Sequence, residues 1–210
     1  MGVRCYDEEI EATPQMGYFQ RHHLFLSALA RMPGKAYHFP TMKILVYPHE
    51  VLSGKAKPVE RLDGGLQQLI DNMFETMYGA QGVGLAANQI GELIQLVVMD
   101  VAYVEEGGPG RQPLVLINPR IVVAEGEDVQ DEGCLSVPNY TAPVRRATSL
   151  QVKGYDREGK EISLEAGGLL ARCIQHELDH LLGICFVDRM NPIRKALFRK
   201  KWPKIRPGEE

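Results

Sequence analysis

The stretch GGLLARCIQHELDHLLG, residues 167–183, sets two histidines four positions apart inside an apolar repeat bounded by glycines. That pattern predicts a helix over about residues 169–182, opening after Gly167-Gly168 and ended by Gly183. On such a helix His176 and His180 lie about 40° apart around the axis and about 6 Å apart along it, so both imidazoles can reach one metal ion. Glu177 is rotated by about 100° from His176. It cannot easily join the same face as a ligand, but it can reach water at the metal, which is the place of a general base. Leu178, Leu181 and Leu182 argue against a helix solvated all round. Asp179 has two readings, an acceptor for a ligand histidine or a support for the helix start.

A catalytic site of this kind takes three protein ligands and leaves one position open. No histidine follows His180, and the nearest later acid is Asp188. Upstream, Cys134 lies in the Gly-flanked segment EGCLSVP, residues 132–138. A thiolate is a strong ligand for iron or zinc. Cys173 lies three residues before His176. By itself a cysteine is more often a small buried hydrophobe, so on the residues alone Cys134 and Cys173 compete for the third position. Glu132 is placed to pair with Arg145 or Arg146 and hold the Cys134 segment.

Further upstream, a run with Leu62, Leu66, Leu69, Ile70, Met73, Phe74 and Met77 on one face predicts a helix over about residues 59–78, with Gly79 as a left-handed cap. KILVYP (residues 43–48) reads as extended. QLVVMDV (95–101), PLVLIN (113–118) and IVVAEGEDV read as three strands, the second stopped by Pro119. EEGGPG reads as a loop. SLQVKGY, DREGK and EISLEA read as a hairpin turning at Glu158-Gly159. A last short helix follows Pro192. Strands in succession with helices at either end define an α+β class with mainly antiparallel sheets, packed around a central helix that carries HExxH.

The chain has 210 residues, 44% hydrophobic and 24% charged, a soluble globular balance that excludes disorder as the whole answer. The net charge of -3 excludes a globally basic nucleic-acid binder. No apolar run approaches the roughly 18 residues that span a membrane. Four cysteines in a chain of this length do not make a disulfide scaffold.

GVGLAANQ, residues 82–89, is the third motif. Its glycines and small residues let a backbone approach another group closely, or suit a tight packing corner. It lacks the Gly-Lys-Ser/Thr of a phosphate cradle. Gln89 ends the run with an amide donor able to polarise a carbonyl.

Together GVGLAANQ, EGCLSVP and QHELDH resemble the motifs of peptide deformylase, in the family's order and with no departure at a defining position. The resemblance runs from Met42 to about Phe198. It implies that Cys134, His176 and His180 hold one metal ion per chain, Fe(II) natively, with Zn(II) or Ni(II) able to replace it. It implies Glu177 as general acid/base, Gln89 and the Leu135 N–H on the formyl oxygen, and backbone around Val83, Gly84 and Gly133 pairing with an extended peptide. The expected activity is hydrolysis of the N-formyl group from the initiating methionine of nascent polypeptides, releasing formate. The implied setting is the bacterial cytoplasm rather than an organelle, as a monomer, with no membrane partner.

Three regions follow: an extension (1–41), a catalytic domain (42–190) and a basic C-terminal helix or tail (191–210). The extension opens with Asp7, Glu8, Glu9 and Glu11, unlike a mitochondrial presequence, and its RHHLFLSALA run is a weak match to a secretory signal. Met42 is an alternative start. From Arg189 to Arg206 the tail has eight basic residues and no acid. It reads as a solvated helix face, or as a contact for ribosomal RNA. Two rival functions have clear discriminators. An HExxH protease would keep its metal when Cys134 is replaced by Ser, and a structural-metal binding module would show a closed set of four ligands.

Overall fold

The computed structural model describes residues 41–104 and 110–207. The readings placed on the extension, signal-like and presequence-like alike, and most of the EEGGPG loop lie outside the described residues. The elements follow in the order α1 (Gly64–Gly79), β1 (Gly84–Ala86), β2 (Leu96–Met99), β3 (Leu114–Glu125), β4 (Asp128–Cys134), β5 (Val137–Arg146), β6 (Ser149–Tyr155), β7 (Glu161–Gly167), α2 (Gly168–Leu181), α3 (Phe186–Arg189) and α4 (Pro192–Ile205). Strands β1-β2-β3-β6-β7 form one antiparallel sheet and β4-β5 a second. The α+β class with mainly antiparallel sheets is what the chain adopts.

Strand β2 shows how the core is built. Its four residues are all buried. Side chains alternate faces along a strand. Leu96 and Val98 pack with Leu66, Ile70, Met73 and Met77 of α1, while Val97 and Met99 pack with Ala171, Ile174 and Leu181 of α2. The sheet is therefore covered by one helix on each face. On its other side α2 meets β4-β5: Arg172 Nη1 donates to Val144 O at 3.0 Å, and Gln175 exchanges hydrogen bonds with Ala147. Side chains of α2 thus reach both sheets.

Several local expectations need correction. Helix α1 begins at Gly64, because the Asp63 side chain caps it by accepting from Leu66 N–H at 3.1 Å. Leu62 falls before the cap and is exposed. Gly79 is the last helical residue, and the left-handed position belongs to Gln81. PLVLIN and IVVAE form one strand, β3, with a break in register between Ile117 and Arg120. Pro119 there has no N–H to donate, so the strand bulges instead of ending.

Strand β5 was not legible, because Pro138 and Pro143 interrupt its pattern. A two-stranded sheet tolerates them, since each strand has a free edge. The hairpin at Gly159 and the stop at Gly183 occur as expected, both glycines having positive φ. A Cβ on Gly183 would press on the Ser53 carbonyl, a second reason for glycine there.

The helix after Pro192 is longer than expected, at 14 residues. Phe198 and Trp202 are buried with Val144 and Phe186, and Trp202 Nε1 donates to Tyr47 O at 2.7 Å. Ile193 and Leu197, on the other side of the helix, are 76% and 60% exposed.

Candidate metal centre and active site

Three segments distant in sequence meet at the polar edge of α2. Helix α2 carries His176, Glu177 and His180. Strand β4 ends at Cys134, which pairs with Val137 across the Leu135-Ser136 turn. The turn after β1 carries Gln89. Cys134 Sγ lies 3.2 Å from His180 Nε2, and the two histidine rings are 5.0 Å apart, centre to centre. One ligating atom from each of Cys134, His176 and His180 falls within 4.8 Å of the others. Donors at about 2.0–2.3 Å from a single ion in a tetrahedral set would be separated by ~3.5 Å, so the three fit one cation. The thiolate and imidazole donors suit a borderline or soft transition metal and not calcium or magnesium.

Cys173 does not join them. Its thiol points to Val83 O at 3.6 Å, and burial with the nearby Glu177 carboxylate pushes its pKa well up. Of the two cysteines that spacing left in competition, it is Cys134, at the end of β4, that stands beside both histidines.

Glu177 is buried, and its Oε2 has no partner among the described residues. Burial raises its carboxyl to about 7, against the pull of His176. Gly84 lies directly against it. A Cβ there would collide with Glu177 Oε1 and come within 2.7 Å of Cys173 Sγ. The second glycine of GVGLAANQ is therefore required by close approach to the acid.

Gln89 is aimed by its own turn. Its Oε1 accepts from Ala86 N–H at 2.8 Å, which turns Nε2 toward Cys134 Sγ (3.5 Å) and Ser136 Oγ (3.1 Å). Asn88 Nδ2 donates to His180 O at 2.5 Å, tying this turn to α2. Sequence reasoning found Gln89 but missed Ser136 and the part played by the Ala86 amide. The signal for Ser136 was its place in EGCLS, two residues beyond Cys134.

Behind the candidate ligands lies a buried ion network. Glu132 accepts from Arg146 through both carboxylate oxygens (2.9 and 3.0 Å), from Arg172 at 2.8 Å, and lies 3.1 Å from His176 Nδ1. Burial alone would raise Glu132, but the hydrogen bonds to His176 and Arg146 win and hold it down at about 2. Burial likewise opposes charge on His176, yet Cys134 and Glu132 raise its pKa. For His180, burial and the positive groups nearby lower it. Of the two expected partners, Arg146 binds Glu132, while Arg145 pairs with Glu127 at the surface. Asp179 meets neither His176 nor His180 and instead binds Arg146 and Arg189. Arg172 was missed entirely, since a helical arginine gives no local sign of being buried.

The site opens into a cleft of about 360 Å³ whose walls include Gly82–Gly84, Gly133–Leu135, Leu169 and Cys173. A larger cavity, about 660 Å³, opens elsewhere along α2, beside Leu178 and Leu182, but contains none of the three ligating residues. Val83, Gly84, Gly133 and Leu135 thus sit together with Gln89 and the candidate ligands.

Two histidines at HExxH spacing, with the buried glutamate between them and an open cleft beside them, are the arrangement of the HExxH metallohydrolases as a class; the neighbouring cysteine sets this site apart from the proteases among them. Comparison with known proteins narrows it. Residues 41–196 match the polypeptide deformylase family. The peptide deformylase of Thermodesulfovibrio yellowstonii is 50% identical over 161 residues, 77% of this chain and 96% of that protein. That of Chromobacterium violaceum is 52% identical over 163 residues, 78% and 95% of the two chains. The crystal structure of a peptide deformylase from Legionella pneumophila aligns with TM-score 0.73 at 46% identity, covering 79% of this chain and 95% of that one. The chain belongs to the peptide deformylase family and is a hydrolase that removes the N-formyl group from nascent polypeptides.

Proposed function

We propose that the deformylase reaction runs on Cys134, His176, His180, Glu177, Gln89 and the Leu135 N–H. The observation that carries this is the placement of three ligating atoms and Glu177, whose buried Oε2 has no partner among the described residues, in one cleft. A divalent ion held by Cys134, His176 and His180 would lower the pKa of the attacking water toward neutrality. Glu177 Oε2 takes the water proton and delivers it to the leaving amine nitrogen, a task suited to a carboxyl at about 7. Gln89 Nε2 exchanges one of its present contacts for the formyl oxygen, and the Leu135 N–H donates to the same atom as it gains charge. Each such donor contributes about 3 kcal/mol. Val83, Gly84 and Gly133 hold the peptide in extended form.

The native ion on this reading is Fe(II), one per chain. Iron beside a thiolate oxidises readily, so activity of the iron form should decay in air and that of a zinc or nickel form should persist. Chelation should abolish formate release from formyl-Met-Ala-Ser, and Fe(II) added anaerobically should restore it. Cys134→Ser should lose the ion. A Cys134→Ser protein that kept it would remove Cys134 as a ligand and favour a protease-type site.

The reading places the enzyme in the bacterial cytoplasm as a monomer, with residues 42–190 as the catalytic domain. No described helix is long and apolar enough to cross a membrane. Helix α4 presents exposed Arg194, Arg199, Lys200, Lys201 and Lys204 around its buried Phe198 and Trp202. These suit contact with ribosomal RNA phosphates. Reversing charge at Lys200 and Lys201 should weaken co-sedimentation with ribosomes at low salt, and unchanged binding would remove α4 from that role.

A further inference from the structure

We propose that Tyr103 is a positioning residue for substrate, acting through the carbonyl of Gly82 to set the width of the peptide cleft. The Tyr103 hydroxyl donates to Gly82 O at 2.9 Å. The next carbonyl, Val83 O, accepts from Asp100 N–H at 2.9 Å. The edge that leads into β1 is thus tied from behind at two successive carbonyls. Its front is the cleft, where Leu135 faces it closely enough that a Cβ on Gly82 would come 2.6 Å from Leu135 Cδ1. A small shift of Gly82 toward or away from Leu135 changes the gap between the two walls.

Tyr103 is itself braced. Its ring packs edge-on against Tyr78, with centroids 5.3 Å apart at 89°. Tyr78 donates to Asp100 Oδ2 at 2.7 Å, and Arg111 stacks over the Tyr78 ring at 4.1 Å. Asp100, almost fully buried, also accepts from Gln112 N–H at 3.1 Å through both oxygens. This cluster touches neither the three candidate metal ligands nor Glu177, so its effect on the reaction must pass through the cleft wall. Burial and the Asp100 carboxylate raise the Tyr103 phenol, which keeps it a donor across the neutral range.

The inference rests on the reading of Val83, Gly84 and Gly133 as the peptide-binding walls. Its test is steady-state formate release from formyl-Met-Ala-Ser by Tyr103→Phe, a change that deletes one oxygen from a half-buried ring. KM should rise about 3- to 10-fold, the effect of one lost neutral hydrogen bond, with kcat within about two-fold of wild type and the unfolding midpoint lowered by no more than about 6 °C. A KM within about two-fold of wild type, or a joint fall in kcat and unfolding midpoint, would overturn the positioning role. Gly82→Ala, whose Cβ would enter the gap toward Leu135, separates the two readings in the same assay. A raised KM in Gly82→Ala beside normal Tyr103→Phe removes Tyr103 alone, whereas normal kinetics in both remove this edge as a substrate wall and the inference with it.

Discussion

Replacing Glu177 by Gln should cut formate release by about 100- to 10,000-fold, the range of a lost general acid/base, while the protein keeps its metal and its fold. The side chain is buried among the candidate ligands, yet its Oε2 bonds to nothing among the described residues. A buried carboxylate oxygen without a partner costs stability. The neutral amide is nearly the same size, so the unfolding midpoint should hold or rise. Activity and stability therefore move in different directions, which marks a residue kept for chemistry. Glu177→Ala should lose activity to the same extent but leaves a small cavity. The measurements are single-turnover formate release, metal content and thermal unfolding on one preparation. Retained turnover in the metal-loaded Gln variant would show that another group moves the proton.

The second large effect is structural, and it falls on Glu132. Replacing it by Ala should destabilise the protein by about 3–5 kcal/mol, the cost of leaving buried charges unpaired. At roughly 2–4 °C per kcal/mol for a chain of this size, the unfolding midpoint should drop by about 6–20 °C. Arg146 keeps Asp179, and Arg172 keeps the Val144 carbonyl, but both lose their shared carboxylate. His176 also loses the acceptor beside its Nδ1, and removal of such an outer partner weakens metal binding by about 10- to 100-fold. Glu132→Gln retains the shape without the charge and should fall between the two. A midpoint shift under about 2 °C in Glu132→Ala would mean that the arginines are satisfied without it.

Much of this protein was legible because its decisive relations are local. The separation of His176 and His180 follows from the helical repeat, and so does the different direction of Glu177. The turn at Gly159 and the stop at Gly183 follow from a backbone conformation that glycine favours. The order of GVGLAANQ, EGCLSVP and QHELDH carried the resemblance to the family. What spacing could not supply was which distant residues touch. Spacing left Cys134 and Cys173 competing for the third position, whereas in the fold strand β4 brings Cys134 to His180 and Cys173 turns to Val83. Asp179 had two readings, histidine acceptor or structural support, and it is Arg146 and Arg189 that it binds. Strand β5 was hidden by prolines that only a free edge accommodates, and Gly84 and Tyr103 gain their meaning from neighbours elsewhere in the chain. A helix or a turn is written in a few adjacent residues, because its hydrogen bonds close within them. An ion network or a cleft wall is decided by packing between elements, where the chain between two contacts leaves no local mark.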